Sequence, residues 1–252
     1  MEINLNTFGD RILKVELFIP KEKRSDAAVV IFPGGGYLRH AQHEGKGYAE
    51  MFNDWGISAL VVYYAVTPVH FPNQLVDART AVRYLRENAE KFQIDPEKIA
   101  VMGSSAGGHL AAMVSTYKGD VEGDFNTEIP YLPNAQILCY PVLCAPYDEV
   151  AHLGSYVNLL GDNFKETMNQ VDPVQNCDKN TPMAFIWHTA DDEIVNVINS
   201  YRYATELRNN DIDHELHVFP HGRHGLGVLG EVPHVMQWTK LLENWLKDKK
   251  WL

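Results

Sequence analysis

The sequence is short of cysteine, of cationic excess and of long apolar runs, and each shortage removes a class of function. Its three cysteines, Cys139, Cys144 and Cys177, are an odd count without metal-ligand spacing. They fit buried thiols in a reducing compartment better than a disulfide framework. The formal net charge is −11, and an acidic surface repels phosphate backbones and anionic lipid. Nucleic acid and membrane surfaces are therefore not expected partners. No stretch reaches the roughly 20 apolar residues of a membrane span. Met1 to Asp10 carries acids and no apolar run, so it does not read as a secretory signal. A cytoplasmic, soluble protein is the expectation. The 252 residues show no internal repeat and no linker, so 1–252 reads as a single domain, large enough to bury a full core.

What is present is an alternation of apolar runs with helical periodicity. Val15 to Ile19 alternates weakly before Pro20, as in a half-exposed antiparallel edge strand. Ala27 to Phe32, Ile57 to Tyr64, Lys98 to Met102, Ala135 to Tyr140, Pro182 to His188 and Glu215 to Phe219 read as buried strands. Between them, helices are predicted over Glu44 to Asp54, Asp77 to Lys91, Ala106 to Thr116 and Val197 to Asn209, with a last one over His234 to Lys247. In the second of these, Ala78, Ala81, Val82, Leu85 and Ala89 form the apolar face, and Arg79, Arg83 and Arg86 are assigned to solvent. Alternating strands and helices imply right-handed parallel crossovers and an α/β, doubly wound, mostly parallel sheet with helices on both faces. From 142 to 181 the rhythm breaks into short pieces among acids and prolines, which reads as a small cap-like insertion.

Three stretches carry chemistry. Gly103-Ser104-Ser105-Ala106-Gly107 is G-x-S-x-G between a strand and a helix of small residues. That is the nucleophile elbow of an α/β-hydrolase, with Ser105 pushed into the open and glycines where a Cβ has little room. Pro33-Gly34-Gly35-Gly36-Tyr37 directly follows a buried strand. Glycines there let backbone N–H groups approach a developing oxyanion, with a further donor from Ala106. A serine hydroxyl also needs a base within hydrogen-bond reach, and the fold supplies acid and base in the order Ser, Asp, His. The chain offers Asp191 or Asp192 after one strand and His221 or His224 after the next, each at the carboxyl edge where parallel sheets build their sites. The remaining histidines take plain readings. His40 and His43, near the glycine loop, read as solvated loop residues with substrate contact as the alternative, His109 packs or makes a structural hydrogen bond, and His188 is structural. Three convergent metal ligands are not visible, so no metal and no cofactor is expected. Tyr37, Tyr147 and Trp187 are candidates to line the pocket.

These stretches, with Gln74, Asp77-Ala78-Arg79, Ile94-Asp95-Pro96, Tyr140-Pro141-Val142, His188-Thr189-Ala190-Asp191-Asp192 and Gly222-Arg223-His224-Gly225-Leu226-Gly227, resemble the esterase and acetylxylan-esterase-like group of the α/β-hydrolases, near the hormone-sensitive-lipase type. The resemblance covers most of the chain. It implies Ser105 as nucleophile, Asp192 as orienting acid and His224 as base, with Gly35, Gly36 and Ala106 as oxyanion donors. Acid loops of that group read as aspartate, two residues, then valine, which Asp192-Glu193-Ile194-Val195 matches and Asp191 does not. The chain departs from the group at Pro33, in place of a histidine, and at Asn196, in place of a common proline. The implied activity is a serine carboxylic-ester hydrolase for short-acyl esters, acetylated sugars foremost, with a small-molecule ester as partner. A serine peptidase or acylaminoacyl hydrolase, and a non-catalytic ligand-binding protein on the same fold, are the alternatives.

Overall fold

The computed structural model describes residues 1–124, 128–145 and 149–252, apart from the side chain of Glu166. Among the described residues, eight strands form one sheet in the order β1-β2-β4-β3-β5-β6-β7-β8. They are β1 (Glu2–Asn6), β2 (Ile12–Phe18), β3 (Ala28–Phe32), β4 (Ser58–Tyr63), β5 (Ile99–Ser104), β6 (Ala135–Cys139), β7 (Met183–Thr189) and β8 (His214–Phe219). From β4 to β8 every neighbouring pair is parallel, while β1 and β2 join antiparallel at one side. The parallel centre consists of runs such as Ala28-Val29-Val30-Ile31-Phe32, buried along their whole length because helices cover both faces.

The helices among the described residues are α1 (Lys46–Asp54), α2 (Asn73–Glu87), α3 (Ala89–Phe92), α4 (Ala106–Thr116), α5 (Leu153–Leu160), α6 (Phe164–Thr167), α7 (Pro173–Asn176), α8 (Ile198–Asn209) and α9 (Gln237–Asp248). Side chains of α2, α4 and α8 share one core with Val30, Phe32 and Leu60. Those of α1 and α9 share the other with Val29, Ile31 and Trp187. In α9, Trp238, Leu242, Trp245 and Leu246 are buried, and Trp238 stacks on Trp187 at 5.1 Å and 13°. Burying each such side chain stabilises the fold by about 1.5–3 kcal/mol. None of the helices is long and apolar enough to cross a membrane.

The sheet corrects the reading of Val15 to Ile19 as an edge. β2 pairs with both β1 and β4, and Glu2–Asn6 is the outer strand. That strand keeps only Ile3 and Leu5 half-buried, so it lacks the apolar run that marks the others. The long helix starts earlier than expected, at Asn73, so Gln74 belongs to it rather than to the loop, and it breaks at Asn88 before the short α3.

The arginines of α2 are not a solvated face. Arg79 is 1% exposed. It pairs with Asp124, donates from Nη2 to the carbonyls of Tyr117 and Gly119, and lies 3.8 Å from the centre of the Tyr131 ring. Arg83 pairs with the same Asp124 and donates to the Ile129 carbonyl, and Arg86 reaches the carbonyls of Pro96, Pro130 and Leu132. A polar loop whose carbonyls lack strand partners supplies acceptors for a row of guanidinium donors, and helical spacing alone does not reveal it.

Candidate active site

Ser105, Asp192, His224 and the glycine loop all lie beyond the carboxyl ends of parallel strands, β5, β7, β8 and β3 respectively. At the elbow, Ser105 has φ 53° and ψ −119°, a conformation that strains a residue with a Cβ. The surrounding structure imposes it. The Ser105 N–H donates to Cys139 O at 3.0 Å, and its own carbonyl accepts from His109 N and Val142 N. The flanking glycines leave the helix flush against the sheet. A Cβ on Gly103 would meet Gly107 O at 2.0 Å, and one on Gly107 would meet Phe32 O at 2.0 Å.

From this turn a chain of hydrogen bonds runs to the buried carboxylate. Ser105 Oγ is 2.9 Å from His224 Nε2, and His224 Nδ1 is 2.7 Å from Asp192 Oδ2. Asp192 Oδ1 accepts from the N–H groups of Ile194 and Val195, both at 2.9 Å. Burial would raise the Asp192 pKa, but hydrogen bonds from His188 and His224, the His224 charge and the Val195 N–H outweigh it and hold the carboxyl well below the usual carboxylate range. His188 is therefore more than a strand-end core residue. Its Nε2 sits 2.9 Å from Val195 O and 3.3 Å from Asp192 Oδ2, while Nδ1 meets Ser200 Oγ at 2.8 Å. The spacing of four residues between His188 and Asp192 is the only mark of this contact in the sequence.

Asp191 and His221 form a separate, exposed pair at 2.9 Å, and Asp191 also accepts from Gly222 N. The two acids and two histidines that the sequence leaves open thus sort into parallel couples, only one of which reaches Ser105.

The glycine loop turns sharply, with φ values of 129° at Gly35, 66° at Gly36 and 57° at Tyr37. Its shape is fixed from several sides. Gly35 O accepts from Leu38 N and Arg39 N, Tyr64 OH donates to Pro33 O, and Asn158 of α5 donates to Gly36 O at 2.8 Å. Among the described residues, none accepts from the N–H of Gly35, Gly36 or Ala106. Backbone donors without an acceptor among the described residues, one of them on the residue after Ser105, are the kind of group that can hold an oxyanion.

The other expected residues divide. His109 is fully buried between Tyr37 OH, 2.7 Å from Nδ1, and Val171 O, 2.8 Å from Nε2, and burial lowers its pKa to about 4. His40 and His43 are half-buried rather than free in solvent: His40 Nε2 reaches Tyr64 O, and His43 Nε2 reaches Gly225 O, each at 3.0 Å. Loop backbone near a glycine-rich turn leaves carbonyls that need donors, and both rings supply one. Tyr37 and Trp187 are buried at 1% and 0% exposure and pack within the protein rather than lining an opening. Tyr147 lies outside the described residues. Among the described residues, no group of three His, Cys, Asp or Glu side chains is arranged to hold a metal ion.

Residues 15–140 match the BD-FAE family model. The chain belongs to the BD-FAE family. It is 32% identical to an acetylxylan esterase of Xylanibacter ruminicola over 98% of this chain and 50% of that protein. It is 37% identical to endo-1,4-beta-xylanase B of Butyrivibrio fibrisolvens over 81% of this chain and 33% of that protein. The chain thus spans a third to a half of the length of these relatives. Among solved structures, the acetyl ester-xyloside bifunctional hydrolase of Caldicellulosiruptor lactoaceticus superposes with a TM-score of 0.88 at 39% identity, covering 96% of this chain and 90% of that one. The fold is the α/β-hydrolase fold, and this BD-FAE member shares it with esterases.

Proposed function

We propose that the protein is a serine carboxylic-ester hydrolase acting on short-acyl esters, acetylated xylose-containing sugars foremost. The observation that carries this reading is the unbroken run from Ser105 Oγ through His224 to Asp192, at 2.9 Å and 2.7 Å. His224 Nε2 takes the Ser105 proton as the hydroxyl attacks the ester carbonyl. The N–H groups of Gly35, Gly36 and Ala106 hold the oxyanion. His224 then protonates the departing alcohol, and water releases the acyl group by the same path. Asp192 keeps His224 in the tautomer with Nδ1–H and stabilises the imidazolium. This chemistry needs no cofactor.

The substrate class rests on two supports. An acetylxylan esterase and an acetyl ester-xyloside hydrolase are among the proteins this chain is similar to. In addition, the first turn of α5 stands against the glycine loop, with Ser155 Oγ 3.9 Å from where a Cβ of Gly36 would lie. We read 142–181, of which 146–148 lie outside the described residues, as a small cap whose described part narrows the space for the acyl chain. A panel of acetyl, propionyl, butyryl and longer esters, run beside an acetylated xylo-oligosaccharide, tests the proposal. Acetyl and propionyl esters are expected to turn over fastest through better binding in the transition state. Faster hydrolysis of a long-chain ester than of the matching acetate contradicts it.

A further inference from the structure

The geometry points to Glu44 as a positioning residue that sets the oxyanion loop and the His224 loop at working distance from each other. This inference rests on the hydrolase reading above and adds a residue to it.

Glu44 ends a single 3-10 turn, Gln42–Glu44, and is 2% exposed. Burying a carboxyl group is costly unless its oxygens are hydrogen-bonded. Here each oxygen serves a different loop. Oε2 accepts from the Gly34 N–H at 2.8 Å, and the Gly34 carbonyl accepts from Ala41 N at 2.8 Å, so both polar groups of Gly34 are clipped to the same short segment. Gly34 lies against the nucleophile: a Cβ built on it would stand 2.4 Å from Glu44 Oε2 and 3.2 Å from Ser105 Cβ. Oε1 accepts from Tyr140 OH at 2.7 Å, and the Tyr140 oxygen accepts in turn from Gly227 N at 3.1 Å. The Tyr140 ring meets the His224 ring edge-on at 4.9 Å. The neighbouring His43 adds a second tie, from Nε2–H to Gly225 O, one residue past His224. Tyr48 OH, 3.2 Å from Tyr140 OH and 2.8 Å from Ser104 Oγ, extends the network to the residue before the nucleophile.

A carboxyl group in this place is not needed to fill space. It joins the two loops that must hold still while charge develops on substrate and imidazole. The nearby cationic candidate His43 has its Nε2 3.8 Å from Oε1, beyond hydrogen-bond distance, and spends that nitrogen on Gly225 O. Glu44 touches neither the reacting atoms nor His224, and its effect passes through Gly34 and Tyr140.

The test compares Glu44→Ala, Glu44→Gln and Tyr140→Phe with wild type in steady-state hydrolysis of an aryl acetate, with melting temperature and near-ultraviolet circular dichroism recorded for each. Removing a single oxyanion donor costs about 10²–10³ in kcat, and Glu44 acts one step removed, so Glu44→Ala is expected to lose at least about tenfold in kcat with KM within about twofold. Glu44→Gln keeps an acceptor for Gly34 and a polar partner for Tyr140, and is expected to stay within about threefold of wild type. Tyr140→Phe keeps the ring against His224 but loses the hydrogen bonds to Glu44, Gly227 and Tyr48, and is expected to lose about three- to tenfold in kcat. Wild-type kcat in a folded Glu44→Ala, or equal losses in the alanine and glutamine variants, overturns the inference. If the alanine variant does not fold, an unchanged kcat in Tyr140→Phe overturns it. A wild-type protein that turns over no ester overturns the hydrolase reading and this role with it, whereas activity retained in Glu44→Ala overturns this role alone.

Discussion

Asp192 and His224 meet at 2.7 Å from the ends of neighbouring parallel strands, while Asp191, one residue earlier, points away to His221. Successive residues in a tight turn face different directions, so only one acid serves the histidine that reaches Ser105. Asp192→Asn is expected to lower kcat by up to about 10⁴-fold with the fold intact, because the imidazole loses its correct tautomer rather than its packing. Asp191→Asn is expected to stay within about threefold, since its pair with His221 is exposed and worth little. Steady-state rates for both variants decide the matter, and the reverse order moves the acid to Asp191.

The elbow glycines make a prediction about stability. A Cβ at position 107 would stand 2.0 Å from Phe32 O, a backbone atom that has no rotamer to escape into. Gly107→Ala is therefore expected to destabilise by about 1–3 kcal/mol or more through overpacking. Gly154→Ala serves as the control. Its Cβ would meet nothing closer than His152 Cε1 at 3.7 Å, and alanine favours a helix, so a change between zero and about 1 kcal/mol of stabilisation is expected. Thermal melts of the two variants should move in opposite directions or leave the control unmoved. Equal destabilisation would contradict the steric argument.

Much of this is legible in the sequence because it depends on local spacing. Strand length, helix periodicity, the two elbow glycines and the order Ser, Asp, His are written along the chain, while the choice of Asp192 over Asp191 and of His224 over His221 comes from the family resemblance. The features that escape depend on what lies across the fold. Arg79 looks like any outward arginine of an amphipathic helix until the carbonyls of Tyr117 and Gly119 arrive to receive it. Glu44 looks like a helix-start acid until Gly34 and Tyr140 close on its two oxygens. Glu2–Asn6 carries too little apolar surface to announce a strand, and its place comes from antiparallel pairing with residues 12–16 of β2.

Arg79 should accordingly be expensive to truncate. Its guanidinium is buried beside Asp124 and between two tyrosine rings. Removing it leaves a largely buried carboxylate paired with Arg83, takes the guanidinium donor from the Tyr117 carbonyl and leaves the Gly119 carbonyl without this donor. Arg79→Ala is expected to cost about 3–5 kcal/mol in a urea titration. A loss below about 1 kcal/mol would be that of an arginine on a solvated face and would contradict the buried role.

His109 predicts a pH dependence of stability. Burial lowers its pKa from the ordinary 6.5 to about 4, so between those values the unfolded chain binds more protons at this residue than the folded one. Stability contributed by the neutral ring is fully present above about pH 6.5 and falls as pH drops toward 4, by on the order of 3 kcal/mol. Denaturant unfolding at pH 7.5 and pH 5 is the measurement. His109→Gln, less stable at pH 7.5, should show a shallower decline than wild type, and an identical decline would place the pH sensitivity elsewhere.

The central claim is that Ser105 attacks the ester carbonyl, and one comparison tests it most directly: deacetylation of an acetylated xylo-oligosaccharide by wild type and by Ser105→Ala. The serine is 8% exposed and its hydroxyl faces His224, so losing one oxygen should leave the melting temperature nearly unchanged. Acetate release is expected to fall by about 10⁴-fold or more. A folded Ser105→Ala protein that releases acetate at near wild-type rate would contradict the account.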